Sequence, residues 1–235
     1  RSTLFPYTTL FRSVKLILQT PEAIKSAGRH KVITTMEYDP RTVSNIVSDT
    51  ILPGLLTIPY GELATVKLGN ENIHAECEGL VYKLNVSPEH ALLVMRYAVV
   101  LQDPGHSAAE QPRFRLEILD NADHLISPTC GNIEFVPGTN TQNWHKIGSG
   151  YDVVVWKDWS TIGLNLSQYI GQEIKIRLST WDCSQSGHYG YAYFMLNCVP
   201  QAFSGFSCRT DKVDTIYAPA GFSYCWFKKY NPDGT

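Results

Sequence analysis

Two strand-like stretches joined by a polar loop make up EIKIRLSTWDCSQSGHYGYAYFMLNC (residues 173–198). Apolar and polar residues alternate in EIKIRLSTW (173–181), and aromatic residues recur at every second position of YGYAYF (189–194). A period of two is typical of β-strands that place one face on a core. The intervening loop DCSQSGH (182–188) combines an acid, a thiol and a histidine, so the segment carries both fold information and possible site chemistry.

The same strand-and-turn rhythm extends over most of the chain. GLVYKLNV (79–86) and RFRLEIL (113–119) alternate, whereas ALLVMRYAVVL (91–101) is continuously apolar, as expected of a central strand packed on both faces. Turn formers fill DPGH, DNAD and VPGTNTQN between the strands, and the best helical candidate is one turn in NLSQYIG (165–171). We therefore predict an all-β fold, a jelly-roll β-sandwich over residues 14–200.

Three segments need separate interpretations. Residues 1–13 include TLFPYTTLFRS, which looks like the translation of a sequencing adapter, and we expect them to be an artefact. Residues 37–62 lack a clear period and contain three prolines, which favours a long loop draped over the sandwich. After Pro200 two short strand-like stretches flank APAGF, and we predict that residues 201–235 begin a truncated Ig-like domain.

Composition excludes some partners. Of the 235 residues, 43% are apolar, and the net charge is −2. The sequence has no stripe of basic residues of the kind that binds nucleic acid. No window approaches eighteen continuous apolar residues, so we expect no membrane span. The six cysteines form no CxxC pair, which favours disulfides in an oxidising compartment over a zinc ribbon, with Cys208 and Cys225 a plausible couple.

Two loops carry the candidate ligand-binding residues. Asp103 and His106 lie in DPGH at the end of a strong strand, and Asp182 and His188 lie in DCSQSGH. If both loops share one edge of the sandwich, two carboxylates and two imidazoles would make a metal site or a weak acid/base site. The plainer readings are a tight turn at DPGH and structural hydrogen bonds in both loops. No G-x-S-x-G elbow is present, which argues against one kind of hydrolase.

Tryptophans raise the possibility of sugar binding, because an exposed indole offers a flat apolar face to a pyranose. Trp144, in the polar segment TNTQNWHK, is the best candidate for exposure, and Trp159 in KDW is the second. The alternative for each is an aromatic anchor in the core or in a loop.

The block from Trp156 to Cys198 resembles jelly-roll domains of the galactose-binding and MAM-like type. Five stretches carry a narrower resemblance: VKLGNENI, RYAVVLQDPGH, EQPRFRLEILD, the CG at Cys130 and the closing GHYGYAYF. Together they resemble a domain that recurs in secreted and surface proteins of Bacteroidetes. In those proteins Ig-like or PKD-like modules and gliding-motility sorting domains follow it. The resemblance covers about residues 25–200. In related jelly rolls an acid on the closing strand helps to hold a structural calcium; Met195 stands at that position here, which puts such a site in doubt.

These observations favour a non-catalytic binding or adhesion module that is secreted or on the cell surface, with a glycan or another cell-surface ligand as partner and Ig-like modules as neighbours. A secreted hydrolase, or a domain accessory to one, is the alternative, and a structural spacer without a ligand is the second. No cofactor is expected. The candidate ligand-binding residues are Asp103, His106, Trp144, Trp159, Asp182 and His188.

Overall fold

A computed structural model describes residues 14–16, 29–43, 54–127, 131–199, 218 and 222–225 of the chain. The predicted adapter segment and nearly all of the predicted Ig-like segment lie outside these residues. Eleven strands are described: β1 (Val14–Leu16), β2 (His30–Ile33), β3 (Thr65–Leu68), β4 (Cys77–Asn85), β5 (Leu92–Gln102), β6 (Arg113–Leu119), β7 (Asn132–Phe135), β8 (His145–Ile147), β9 (Val154–Asn165), β10 (Glu173–Trp181) and β11 (Gly190–Val199).

The strands form two antiparallel sheets that pack as a sandwich. Sheet 1 has the order β1-β4-β10-β6-β7, and sheet 2 has the order β2-β3-β11-β5-β9-β8. Strands β3 to β6 alternate between the two sheets, and so do β9 to β11, which is the winding of a jelly roll. The prediction of an all-β sandwich is therefore confirmed.

Helical structure is limited to single turns of 3₁₀-helix at Pro88–His90, Gly150–Asp152 and Ser167–Tyr169. The last of these confirms the one turn predicted in NLSQYIG. The Asn165 side chain accepts a hydrogen bond from the Ser167 amide at 2.9 Å, and Gly171 ends the turn with a φ of +86°. Glycine suits that position because it adopts positive φ without strain.

The main core lies between the sheets and follows the period-two pattern. Strand β10 contributes Ile174, Ile176 and Leu178, and β11 contributes Ala192 and Phe194. In β5 alternate residues point to opposite faces, and both faces are buried, as the continuous apolar run predicted: the inner-face residues are Leu93, Met95, Tyr97, Val99 and Leu101, and the outer-face residues are Ala98 and Val100.

A second core covers the outer face of sheet 2. We call residues 34–43 and 54–62 the cover segment; its Leu55 and Ile58 pack with Tyr191 and Tyr193. The buried Asp39 carboxylate accepts hydrogen bonds from the Tyr191 hydroxyl at 2.9 Å and the Tyr193 hydroxyl at 2.8 Å. The described parts of the predicted loop, residues 37–43 and 54–62, are thus anchored over this sheet face.

The outer face of sheet 1 is charged. Ion pairs link neighbouring strands, such as Arg177 to Glu117 at 2.7 Å and Lys83 to Glu173 at 3.1 Å. These ion pairs make this face an unsuitable platform for stacking a sugar ring.

Within the described ranges no helix is long and apolar enough to cross a membrane.

The cysteines do not bear out the disulfide prediction. Cys77, Cys183, Cys198 and Cys225 all carry free thiols. Cys208, the partner expected for Cys225, lies outside the described residues, as does Cys130. Burial raises the pKa of the Cys198 thiol to about 11, as it does that of Cys77, where the nearby Glu78 and Asp182 charges add to the effect. Both thiols are therefore protonated and weakly reactive at neutral pH.

Candidate functional site

Three loops meet at one end of sheet 2, and we call residues 103–112, 148–153 and 182–189 the loop edge. The sheet order makes them neighbours, because β11, β5 and β9 are adjacent and antiparallel. Leu101 of β5 faces Gly190 of β11, and Gln102 faces Val154 of β9. The loops that follow β5 and precede β9 and β11 must therefore emerge side by side. The DPGH and DCSQSGH loops do share one edge.

Hydrogen bonds lock the first and third loops together. The Ser184 amide donates to the Glu110 carbonyl at 3.1 Å, and the Gln185 side-chain amide donates to the Glu110 carboxylate at 3.0 Å. The second loop joins through the Asp103 amide, which donates to the Val153 carbonyl at 2.7 Å. The edge is therefore a fixed surface built from three chain segments.

The two aspartates of the predicted constellation serve the loops themselves. Asp103 accepts from the Gln111 side-chain amide at 2.8 Å and from the Gly105 amide at 3.2 Å, and Gly105 has a φ of +73°. The tight-turn interpretation of DPGH therefore describes Asp103 and Gly105 correctly. Asp182 accepts from the Gly190 amide at 3.1 Å and from the Glu76 amide at 3.2 Å.

Asp182 belongs to a buried acidic cluster. Burial raises its pKa to about 6, and backbone hydrogen bonds oppose this rise only in part. Glu78 lies nearby and accepts a hydrogen bond from the Thr180 hydroxyl at 3.2 Å. Burial, reinforced by the Asp182 charge, raises the pKa of Glu78 to about 7. Arg29 pairs with Glu76 and approaches Glu78 at 3.8 Å, which offsets only part of the repulsion.

The two histidines of the predicted constellation do come together, with a cysteine between them. The ring centroids of His106 and His188 are 5.1 Å apart and nearly perpendicular, and Cys183 Sγ lies 3.2 Å from His188 Nδ1. Burial lowers the pKa of His188, and the neighbouring His106 lowers it further. At neutral pH the His188 ring is therefore uncharged, which leaves a ring nitrogen free to accept a proton or a metal.

Exposed and unpaired groups surround this cluster. The Tyr151 side chain is 74% exposed, and its backbone carbonyl is anchored by the Gln102 side-chain amide at 3.2 Å. In the described structure, buried polar atoms without a hydrogen-bond partner include Gln111 Oε1 and His106 Nδ1 in this edge and Gln102 Oε1 at the end of β5. Buried acceptors of this kind call for a partner such as a water or a ligand.

The predicted tryptophans are half-buried and do not stand free. Trp159 donates its indole N–H to the Leu56 carbonyl at 2.7 Å, so it anchors the cover segment. Trp144 packs edge-on against Phe135, with ring centroids 5.1 Å apart, and the exposure expected of it is only partial. Both side chains match the alternative of an anchoring aromatic.

A groove of about 500 Å³ lies at the opposite end of sheet 2, where Leu92 of β5 faces Asn165 of β9. Its lining includes the apolar side chains of Ile118, Leu164 and Tyr169, and Phe222 packs at its border over Gly163. Polar side chains also line this groove, namely those of Ser127, Asn165, Ser167 and Gln168, but among the described residues no fully exposed aromatic ring does.

Sequence comparisons find no relatives. No protein-family model matches the chain, and no curated protein matches it in sequence. The relation to a Bacteroidetes surface domain therefore stays a prediction.

Structure comparisons return matches at low scores. The carbohydrate-binding module TmCBM61, solved with β-1,4-galactotriose, matches with a TM-score of 0.33 and 11% identity over 79% of this chain and 86% of the module. The enzymatically active domain of bacteriophage CBA120 tailspike protein 4 matches at 0.31 and 7% identity, over 73% of this chain and 20% of its own. The Endo-D glycoside hydrolase domain of Streptococcus pneumoniae matches at 0.29 and 11% identity, over 76% and 24%. At such scores none of these likenesses bears on a ligand or an activity.

Sequence reasoning missed several residues of the loop edge. Cys183 lies in the DCSQSGH loop, but the candidate residues named there are its neighbours Asp182 and His188. Tyr151 follows Gly148 and Gly150, whose φ angles of +86° and +60° mark a turn that holds an aromatic ring in solvent. A tyrosine that follows two glycines and precedes a strand was the sequence signal that could have identified Tyr151.

Proposed function

We propose that the chain is a non-catalytic binding module that recognises a glycan at the loop edge. The observation that carries the proposal is the exposed Tyr151 ring on a rigid surface built from three loops. A sugar ring stacks an apolar face on an aromatic side chain, and its hydroxyl groups donate to fixed acceptors.

The remaining surfaces of the sandwich are less suited to this task. The cover segment occupies the outer face of sheet 2, and its Asp39 consumes the Tyr191 and Tyr193 hydroxyls. Charged pairs cover the outer face of sheet 1. The loop edge combines an exposed aromatic ring with polar groups held by three loops, and so it is the surface that best fits a saccharide.

The cellular setting proposed for the module is the surface of a bacterium or its surroundings. The sequence resemblance to exported multidomain proteins of Bacteroidetes supports this setting, and adhesion through a surface glycan is the role that accords with it. A spacer without a ligand would leave the exposed Tyr151 ring without a use.

A hydrolase is the second candidate, because Glu78 and Asp182 carry the raised pKa values typical of acid catalysts. Their placement argues against it. Glu78 is 2% exposed and Asp182 is 7% exposed, and both are hydrogen-bonded within the sandwich. A substrate bond cannot reach carboxyl groups in that position, so we assign them a structural role.

The test is a glycan-array screen of the purified chain, followed by calorimetric titration of the strongest ligand. We expect Tyr151→Ala to weaken binding by about tenfold or more, because a stacking contact of about 1.4 kcal/mol corresponds to a factor of ten. Tyr60→Ala is the matched control, since Tyr60 is 76% exposed but lies in the cover segment. The control should bind like the wild type.

Three results would overturn the proposal. Absence of binding to any glycan would favour the spacer. Equal loss in the Tyr151 and Tyr60 variants would move the binding surface away from the loop edge. Release of reducing sugar by the wild type, abolished in Glu78→Gln, would establish the hydrolase instead.

A further inference from the structure

The His106, Cys183 and His188 side chains offer three ligand atoms that all lie within 4.8 Å of one another. They come from two loops of the loop edge, so the cluster depends on the tertiary fold and not on one sequence motif. Cys183 is completely buried, while the two histidines are half-exposed. A cation could therefore reach the cluster from solvent through the imidazoles.

The DCSQSGH loop is shaped around the sulfur atom. Ser186 adopts a φ of +62°, a left-handed conformation uncommon for a residue with a side chain. This turn lets the Gly187 amide donate to Cys183 Sγ at 3.4 Å, and the Cys183 amide donates to the His188 carbonyl at 2.9 Å. An N–H group directed at a sulfur stabilises a thiolate, and such outer contacts fix the ligands of metal sites.

His106 supplies an independent sign of a missing partner. Its Nδ1 atom is buried and has no hydrogen-bond partner in the described structure. A buried ring nitrogen in this state loses its hydration without compensation. A cation bound through this nitrogen would supply the missing partner.

The geometry points to a zinc-type metal site, and we propose that His106, Cys183 and His188 bind one Zn²⁺ ion. Thiolate and imidazole are the donors that zinc prefers, and calcium and magnesium prefer oxygen. Tetrahedral coordination with ordinary Zn–S and Zn–N bonds separates sulfur from nitrogen by about 3.6 Å. The 3.2 Å between Cys183 Sγ and His188 Nδ1 needs only a small adjustment to reach that value.

The site has three protein ligands and one open position. On binding, the Cys183 thiol loses its proton to solvent and its sulfur forms the bond to Zn²⁺, while the two imidazoles bind as neutral donors. Water, or an oxygen of a ligand held at the loop edge, fills the fourth position. The proposal does not depend on glycan binding. A cysteine–histidine nucleophile is the competing interpretation, but a thiol with no exposure cannot attack a substrate.

The test is metal titration of the full chain, with Co²⁺ as a spectroscopic probe and a Zn²⁺ chelator competition for affinity. We expect one Co²⁺ per chain, with thiolate-to-cobalt charge-transfer absorption and the intense visible bands of a tetrahedral complex, both displaced by Zn²⁺. Cys183→Ser should abolish the charge-transfer band. His106→Ala, which changes a half-exposed residue, should weaken Zn²⁺ binding by at least about tenfold, as loss of one of three ligands requires.

Matched controls separate this site from incidental binding. Cys77→Ser removes a thiol outside the cluster, and His124→Ala removes a histidine that is 79% exposed. Neither variant should change the spectrum or the affinity. Far-ultraviolet circular dichroism establishes that each variant is folded. Persistence of the charge-transfer band in Cys183→Ser, unchanged affinity in a folded His106→Ala, or absence of stoichiometric binding by the wild type would each overturn the proposal.

Discussion

Replacing Glu78 by Gln tests the buried acidic cluster. The Glu78 side chain is almost fully buried, and its pKa rises from 4.5 to about 7 because burial and the Asp182 charge disfavour the ionised form. A group whose pKa is raised on folding adds stability below its unfolded pKa, and this contribution is lost as the pH rises through the folded pKa. The wild type should therefore lose stability between pH 4.5 and about 8.

The size of the effect follows from the change in pKa. A rise from 4.5 to about 7 corresponds to about 3 kcal/mol. Glutamine has the shape of the protonated acid and can accept the Thr180 hydroxyl at every pH. Glu78→Gln should match the wild type near pH 4.5 and exceed its free energy of unfolding by up to about 3 kcal/mol at pH 8.

Urea unfolding followed by tryptophan fluorescence, at intervals from pH 4.5 to 8.5, measures this difference. The comparison of variant with wild type removes the contribution of His30, whose pKa burial lowers and whose effect on stability has the opposite sign. Glu117→Gln is the control, because Glu117 is also buried but pairs with Arg177 at 2.7 Å. That variant should lose stability, because it breaks the ion pair, whereas Glu78→Gln should gain it. Parallel stability curves for Glu78→Gln and the wild type would refute the reasoning.

Two further predictions concern the cover segment and the turn beside the acidic cluster. Asp39→Ala leaves the Tyr191 and Tyr193 hydroxyls buried without their acceptor, so urea unfolding should show a loss of about 3 kcal/mol in stability. Tyr193→Phe removes only one donor and should cost about half as much. Equal stability of Asp39→Ala and the wild type would contradict the anchoring role. Gly69→Ala should cost at least about 2 kcal/mol in stability, because φ is +81° and the added Cβ would lie 2.6 Å from the Gly190 carbonyl oxygen. Gly61→Ala, at a φ of +85°, meets nothing within 4 Å and should cost about 1 kcal/mol. Similar melting temperatures for the two variants would contradict this account.

The fold could be predicted from sequence because period-two alternation is a local property. In a strand such as RFRLEIL, the alternation of apolar and polar residues predicts which face is buried. Phe114, Leu116 and Ile118 are all in the core between the sheets. The continuous apolar run of β5 also predicted that both faces of this strand are buried. The cover segment was identified by the absence of a period and by its prolines. Its anchor at Asp39 could not be, since Tyr191 lies more than 150 residues further along the chain.

The site could be predicted only in part, because it depends on which strands are neighbours. The sequence placed chemistry in DPGH and DCSQSGH, and the adjacency of β5 and β11 brings those loops together. The direction of each side chain within a loop is set by backbone hydrogen bonds that no spacing reveals. Asp182 turns inward to the Gly190 amide, while Cys183 turns toward His188. The residues that face one another are therefore His106, Cys183 and His188.

Hydrogen–deuterium exchange of the chain, with and without its strongest glycan ligand, tests the central claim most directly. If the loop edge is the binding surface, bound glycan should slow exchange in peptides covering residues 103–112, 148–153 and 182–189. Peptides from the cover segment should exchange at the same rate in both samples. Protection confined to the cover segment, or to the groove near Leu164 and Tyr169, would contradict the account.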